Sequence, residues 1–504
     1  MHPRLDPSAR AQPAGPNIVH ESFEDEVAIA DRESGRYYGL DGLGADVWRL
    51  MLARYSVHDI AVSLAGRFGL PQAEMELVVG TLLGELGEEG IVTVVDRDGR
   101  TGVAAPNRTD SAWPRPPVEP GPALPFRTDR EALDAYGFFP TAGQEVLLRA
   151  ALLDGERARD AFLRWQYQLD LDVLDQASFR LLPLLYQNLL RHRIALRPPL
   201  DRRLREAYRQ SWFRSELLLR AVVDVLRHFS GAGMRTLLLK GVPLAIRYYP
   251  TPASRPMSDV DLLIPAGEAA RALTVAREAG LAPRFRPTEW PPRFTASRSF
   301  VHPSGWEVDL HTHVMHGQLG RVADNDRWAR AQPLAVGDMM TLALGPEDTV
   351  LHVIAHGLRR NALAPMRWAS DAAMIVRACG PRLDWGRLLS QARASHLSLV
   401  LDRALRYLND RLDIEIPAEV LARCAATRIG VVERVEFRSH LLAGPAGWTG
   451  ATVSDWLRTR ANELEWQGAA GFVRYLRDRL QLDSAWRLPG AICRSAIHRW
   501  KPGG

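Results

Sequence analysis

The sequence predicts an α+β multidomain protein: a small strand-and-helix module, a Pro-rich linker, and a mixed α/β core embedded in helical regions. Three observations carry this. At 504 residues the chain is longer than a single hydrophobic core serves. Pro114, Pro116, Pro117, Pro120, Pro122 and Pro125 crowd one stretch that cannot form a compact element. Elsewhere the apolar residues alternate with period two in short runs and recur at three and four residues in longer ones, the signatures of strands and helices.

The elements follow in order. Residues 1–16, rich in Pro, Arg and Ala, read as a disordered start. Asn17 to Phe23, Glu26 to Asp31 and Arg36 to Asp41 read as strands, with Glu33-Ser34-Gly35 as a turn. Three helices are expected next: Gly44 to Ala53, Ser56 to Phe68 with Ser56 as N-cap, and Gln72 to Glu89 with an apolar stripe through Met75, Val79 and Leu83. Ile91 to Val95 returns as a strand. This gives a first domain over 17–95, a linker over 96–140 and a helical part over 141–234. Within that part, helices are expected at Gln144 to Leu153, Ala158 to Leu169, Val173 to Arg191 with a break at Pro183, Leu200 to Trp212 and Arg214 to Phe229. A core domain over 235–344 and a helical C-terminal region over 345–504 complete the division.

The core holds the pattern with chemical content. Thr236 to Lys240 reads as a buried strand entering a turn at Gly241, followed by a helix from Val242 to Tyr249 with Pro243 in its first turn. Ser258-Asp259-Val260-Asp261-Leu262-Leu263-Ile264 places Asp259 and Asp261 on one face of a strand, because side chains two apart point the same way. Glu307-Val308-Asp309-Leu310-His311 alternates as a further strand and adds a third carboxylate, Asp309. Three acids on adjacent strands suit hard divalent cations that clamp phosphates. Asp259, Asp261 and Asp309 are therefore the expected metal ligands and catalytic residues.

These residues resemble the nucleotidyltransferase superfamily of the DNA polymerase beta type, whose pattern is a glycine turn, Asp-x-Asp, and a later Asp. Leu239-Lys240-Gly241, Arg255-Pro256-Met257-Ser258-Asp259-Val260-Asp261 and Val308-Asp309-Leu310-His311 are similar to one branch, found beside peptide natural-product genes. The resemblance implies Mg²⁺ (or Mn²⁺) and a nucleoside triphosphate or nucleotide-linked donor. It implies nucleotide contacts at Lys240, Gly241, Arg255 and Ser258, and a pocket completed by His311, His356, Arg367 and Asp371. The chain departs from the superfamily at the turn, where Val242 stands in place of the usual Ser or Gly, so phosphate contact falls to backbone N–H groups, Lys240 or an arginine.

Gly35-Arg-Tyr37-Tyr38-Gly-Leu40-Asp41 before Asp46-Val-Trp48 resembles the PqqD-like family of winged helix-turn-helix modules, which includes leader-recognition elements of ribosomal peptide pathways such as those of lasso peptides. It implies that a precursor peptide leader adds as a strand beside Tyr37, Tyr38 and Leu40, against Met75 and Val79 of the third helix.

Other features narrow the function. The net charge of +5 comes from 64 basic and 59 acidic residues spread along the chain, and fits an anionic small substrate as well as nucleic acid. Gln72 to Glu89 carries five glutamates and no Lys or Arg, which argues against a DNA-reading helix. His352 and His356 have the spacing of a zinc pair but lack a following Glu and an evident third ligand. Cys379, Cys424 and Cys493 show no paired spacing, and no run reaches the roughly 18 apolar residues of a membrane span. The expectation is a cytoplasmic, metal-dependent tailoring enzyme that recognises a leader and modifies a ribosomally made peptide, without nucleic-acid or membrane partners. The alternatives are a nucleotidyltransferase acting on a small molecule and a non-catalytic nucleotide- or peptide-binding protein.

Overall fold

In a computed structural model the described residues are 5–22, 26–95, 101–102, 139–168, 174–284, 297–315, 321–358, 366–441, 452–453, 456–457, 468–479, 482 and 484–489. The chain divides into two units, Met1–Pro122 and Ala123–Gly504. The division falls inside the stretch expected as linker.

The first unit contains two small sheets and three helices. β2 (Ile18–Ser22), β3 (Glu26–Asp31) and β4 (Arg36–Asp41) form an antiparallel meander with β4 at its edge. Its second turn is closed by the Glu33 backbone N–H donating to Asp31 Oδ1 at 2.9 Å and by Gly35 at φ 69°. The other sheet joins β1 (Arg10–Pro13), β5 (Val92–Val95) and β6 (Thr101–Gly102). The expected disordered start is thus corrected: Arg10 pairs with Val95, and Ala9 and Ala11 are buried. Their side chains are too small to register as an apolar strand, yet they fill the layer beneath it. Thr101–Gly102 likewise extends the sheet into the expected linker.

α1 (Gly42–Leu52), α2 (Val57–Phe68) and α3 (Gln72–Glu88) match the expected helices to within a residue or two. Ser56 and Asp59 form a reciprocal capping box at the start of α2. Trp48, Met51, Ile60, Met75, Val79 and Leu83 pack with Val27 and Ile29 of β3 into one core.

The second unit is built on a seven-stranded mixed sheet. Its strands are β7 (Leu237–Leu239), β8 (Asp259–Leu263), β9 (Ala282–Pro283), β10 (Ser297–Val301), β11 (Glu307–His311), β12 (Gln332–Val336) and β13 (Met339–Ala343), in the order β12-β13-β7-β8-β11-β10-β9. β8 lies between antiparallel β7 and parallel β11, with Asp261 beside Asp309 and Asp259 beside Glu307. Val260, Leu262, Val308 and Leu310 face a core shared with Val222, Val225 and Phe229 of the helix Leu200–Gly231 and Val275 of the helix Ala269–Glu278. The alternate residues therefore look out from the other face.

One helical expectation needs revision. Leu200–Gly231 is one helix of 32 residues, because the apolar stripe from Leu204 through Tyr208, Trp212, Leu218 and Phe229 is unbroken by Gly or Pro. The break expected at Pro183 is present: Gln176–Phe179 and Leu182–Arg191 are separate helices, with Pro183 in the first turn of the second. In the C-terminal region the helices Trp385–Ala394 and Ser398–Leu412 are separated at His396, which has φ 52°. Among the described residues no helix is long and apolar enough to cross a membrane.

Candidate active site

The outward faces of β8 and β11 open into a cavity of about 400 Å³, closed by the helices Gly241–Tyr248, Pro346–Gly357 and Met366–Cys379. Lys240, Gly241, Asp259, Asp261, Asp309, His311, His356, Arg367 and Asp371 all line it.

The entry from β7 is a strained turn. Lys240 has φ 48° and ψ −113°, a conformation that a residue with a Cβ adopts only when its surroundings enforce it. A Cβ on Gly241 would meet its nearest neighbours, Arg255 Nη1 and Met257 Cγ, at an ordinary 3.6 Å. The strain of the expected glycine turn thus sits on Lys240, not on Gly241. The helix that begins at Gly241 has no side-chain cap, so its first N–H groups remain available to an anion.

Lys240 is fixed at its other end by Asp261. Its Nζ donates to Asp261 Oδ1 at 2.6 Å, and His311 Nε2 lies 2.8 Å from the same oxygen. Asp261 is only 3% exposed. Burial alone would raise its proton affinity, but Lys240 and His311 more than reverse this and hold it ionised well below the usual carboxylate range. Asp309, its neighbour across the strands, moves the opposite way: burial and the Asp261 charge raise its proton affinity, and a hydrogen bond from Ser299 opposes them. Asp309 Oδ1 and His311 Nδ1 are buried and have no hydrogen-bond partner.

Asp261, Asp309 and His311 bring ligand atoms within 4.8 Å of one another, close enough to share a metal ion. Asp259 lines the cavity outside this trio, and Ser258 Oγ donates to its Oδ1 at 3.0 Å. The strand beside it presents Glu307, which is engaged by Arg284. Of the three expected aspartates, Asp261 and Asp309 stand in this group, Asp259 lines the same cavity, and the third member of the group is an imidazole that the sequence suggested only as pocket lining.

A second charged group forms another wall. Asp371 accepts from Arg255 Nε at 2.7 Å, Arg255 Nη2 at 2.8 Å and Tyr249 Oη at 2.6 Å. Arg255, expected to contact nucleotide, is 5% exposed, and this pair takes two of its nitrogens. Arg367 Nη2 donates to the Pro256 carbonyl at 3.0 Å. Gly357 ends the preceding helix where a Cβ would fall inside the Trp368 side chain, so the bare glycine lets the two helices close together.

His352 is buried, and burial together with the Lys240 charge holds it neutral well below its ordinary range. It stacks edge-on against His356, and neither belongs to the trio. Arg180, between Gln176–Phe179 and Leu182–Arg191, also lines the cavity, and no local pattern in the sequence marks it.

In the first unit, Tyr37, Tyr38 and Leu40 are half-buried on edge strand β4, and Tyr38 Oη donates to Glu89 Oε2 at 3.2 Å beyond the end of α3. Met75 and Val79 are 0% exposed. They face the interior of the unit, so the groove expected to include them is corrected: their stripe is the core face of α3.

Residues 26–92 match the family of coenzyme PQQ synthesis protein D (PqqD), and residues 174–413 match an uncharacterised nucleotidyltransferase family. Among solved structures, an antigenic nucleotidyltransferase-like protein from Paracoccidioides brasiliensis is similar at 16% identity and a TM-score of 0.27, over 41% of this chain and 96% of that one. Comparison with curated proteins finds no match.

Proposed function

From a chain that carries a PqqD domain followed by an uncharacterised nucleotidyltransferase domain, we propose a metal-dependent transferase that moves a phosphorus-containing group from a nucleoside triphosphate or nucleotide-linked donor onto a ribosomally made peptide. The observation that carries this reading is the trio Asp261, Asp309 and His311 at the wall of a nucleotide-sized cavity.

The trio fits a divalent cation. Asp309 Oδ1 and His311 Nδ1 are orphaned buried atoms, and the Lys240 ammonium already stands against Asp261 where positive charge is wanted. Mg²⁺ or Mn²⁺ bound there supplies charge neutralisation for the transferring group. The imidazole favours Mn²⁺ over Mg²⁺ relative to an all-oxygen site. Lys240 holds Asp261 ionised and can turn its ammonium toward donor phosphate. Asp309, with its raised proton affinity, is suited to take the proton from an attacking hydroxyl. The uncapped N–H groups at Gly241 offer a seat for phosphate oxygens in place of the missing serine hydroxyl.

In the first unit, edge strand β4 offers backbone groups for a leader peptide added as a strand, with Tyr37, Tyr38 and Leu40 beside it. A leader held on the same chain raises the local concentration of acceptor.

One observation favours a second reading. Lys240 Nζ occupies the Asp261 oxygen that an ion would use, as in a protein that binds a nucleotide without turning it over. Incubating the full chain with the precursor peptide, nucleoside triphosphates and Mg²⁺ or Mn²⁺, followed by mass spectrometry, separates the two. A covalent adduct lost in Asp261→Asn is expected; nucleotide binding without any adduct supports the second reading.

A further inference from the structure

Two of the cations that line the cavity are not paired with its acids. Arg180, Arg255 and Arg367 all line it. Arg255 is committed to Asp371, and Arg367 donates to a backbone carbonyl. Among the described residues the Arg180 side chain has neither a hydrogen-bond nor a salt-bridge partner; Asp259 is the carboxylate whose charge reaches it. Burial weakens the proton affinity of both Arg180 and Arg367, repulsion from Arg255 lowers both further, and Arg180 adds to the effect on Arg367. Like charges gathered in a shielded cavity destabilise the empty protein, and such an arrangement calls for an anion. The planar fork of a guanidinium matches phosphate oxygens, and two forks on separate elements match a chain of phosphates better than a single one.

We infer that Arg180 and Arg367 seat the polyphosphate tail of the donor, which makes the donor a nucleoside triphosphate. The inference rests on the cavity being the nucleotide pocket of the proposed transferase, but not on turnover. It explains how the chain dispenses with the serine that Val242 replaces: the phosphates are held from the helical wall as well as from the turn.

The test is calorimetry on the full chain in the presence of a chelator, with tripolyphosphate, ATP and orthophosphate as probes. The parent protein is expected to bind tripolyphosphate and ATP more tightly than orthophosphate. Arg180→Gln and Arg367→Gln should each weaken both by about ten- to a hundredfold, the usual range for a charged hydrogen bond. Arg180→Gln should melt no lower than the parent without ligand, because it removes an unpaired cation; it carries the test if Arg367→Gln does not fold. Equal tripolyphosphate affinity in parent and Arg180→Gln overturns the assignment. Orthophosphate binding as tight as tripolyphosphate also overturns it, pointing instead to a site for a phosphate monoester. A chain that forms no adduct yet loses tripolyphosphate binding on Arg180→Gln defeats the transferase reading and leaves this seat standing.

Discussion

Two buried charge clusters share one cavity and differ in completeness. In the Arg255–Asp371 pair the carboxylate accepts three hydrogen bonds, from two guanidinium nitrogens and the Tyr249 hydroxyl. Around Asp261 the geometry is left open: Lys240 and His311 converge on one oxygen, while Asp309 Oδ1 and His311 Nδ1 have no partner. A closed cluster braces a wall, because loss of either member strands a charge. An open one carries unmet valence, which is what a ligand needs. Burial is common to both, and it is the count of satisfied atoms that separates structure from function.

The comparison can be broken at its strongest point. Asp261→Asn keeps the shape but removes the anion that Lys240 and His311 serve, so adduct formation should fall by about a thousandfold or more with little change in fold, read by mass spectrometry and circular dichroism. Near-parental turnover would place the chemistry elsewhere. Asp371→Asn should do the reverse. It should destabilise the chain by about 3–5 kcal/mol in chemical denaturation, because the buried Arg255 is left without its counter-charge; a cost near zero would show that water reaches the pair.

Asp309→Asn sharpens the contrast within the open cluster. The folded state raises the proton affinity of Asp309, so its favourable contribution is present below the unfolded pKa of about 4 and is lost as pH rises through the higher folded value. The amide removes that loss. Asp309→Asn should therefore unfold at a denaturant concentration equal to or above that of the parent at neutral pH and show a flatter pH dependence. Reduced stability at neutral pH would contradict the arrangement. The smallest effect belongs to Ser258→Ala, whose hydroxyl meets Asp259 at the solvent edge: stability should stay within about 0.5 kcal/mol, and turnover should fall severalfold at most. A larger loss would bring Asp259 into the reacting cluster.

Local patterns were readable from the chain alone. The Ser56 cap, the strand alternation that sets Asp259 and Asp261 on one face, and the Asp309 strand all follow from spacing. What lay beyond reach was register and approach. Parallel pairing of Asp261 with Asp309 brings His311 into the cluster and leaves Asp259 beside Glu307, and no local residue declares that offset. Arg180 comes to the cavity from a distant helical turn for the same reason. Met75 and Val79 show the limit of a helical stripe, which reveals that a face is apolar but not whether it meets the core or a partner. The strain at Lys240 is a backbone property that a neighbouring glycine concealed.

Gly357 has a bearing on how variants of this protein will be interpreted. Its missing side chain sets the gap between the helix of His352 and His356 and the helix that carries Arg367 and Asp371. Even an alanine there must push the second helix outward, and every charged group on it travels along. Such a variant would lose activity although each ligand and each arginine is still present in the chain, and a survey of function by substitution would score as essential a residue that has no side chain to offer the reaction. The dimension of the site is thus written at a position with no functional group, as a spacer whose thickness is zero.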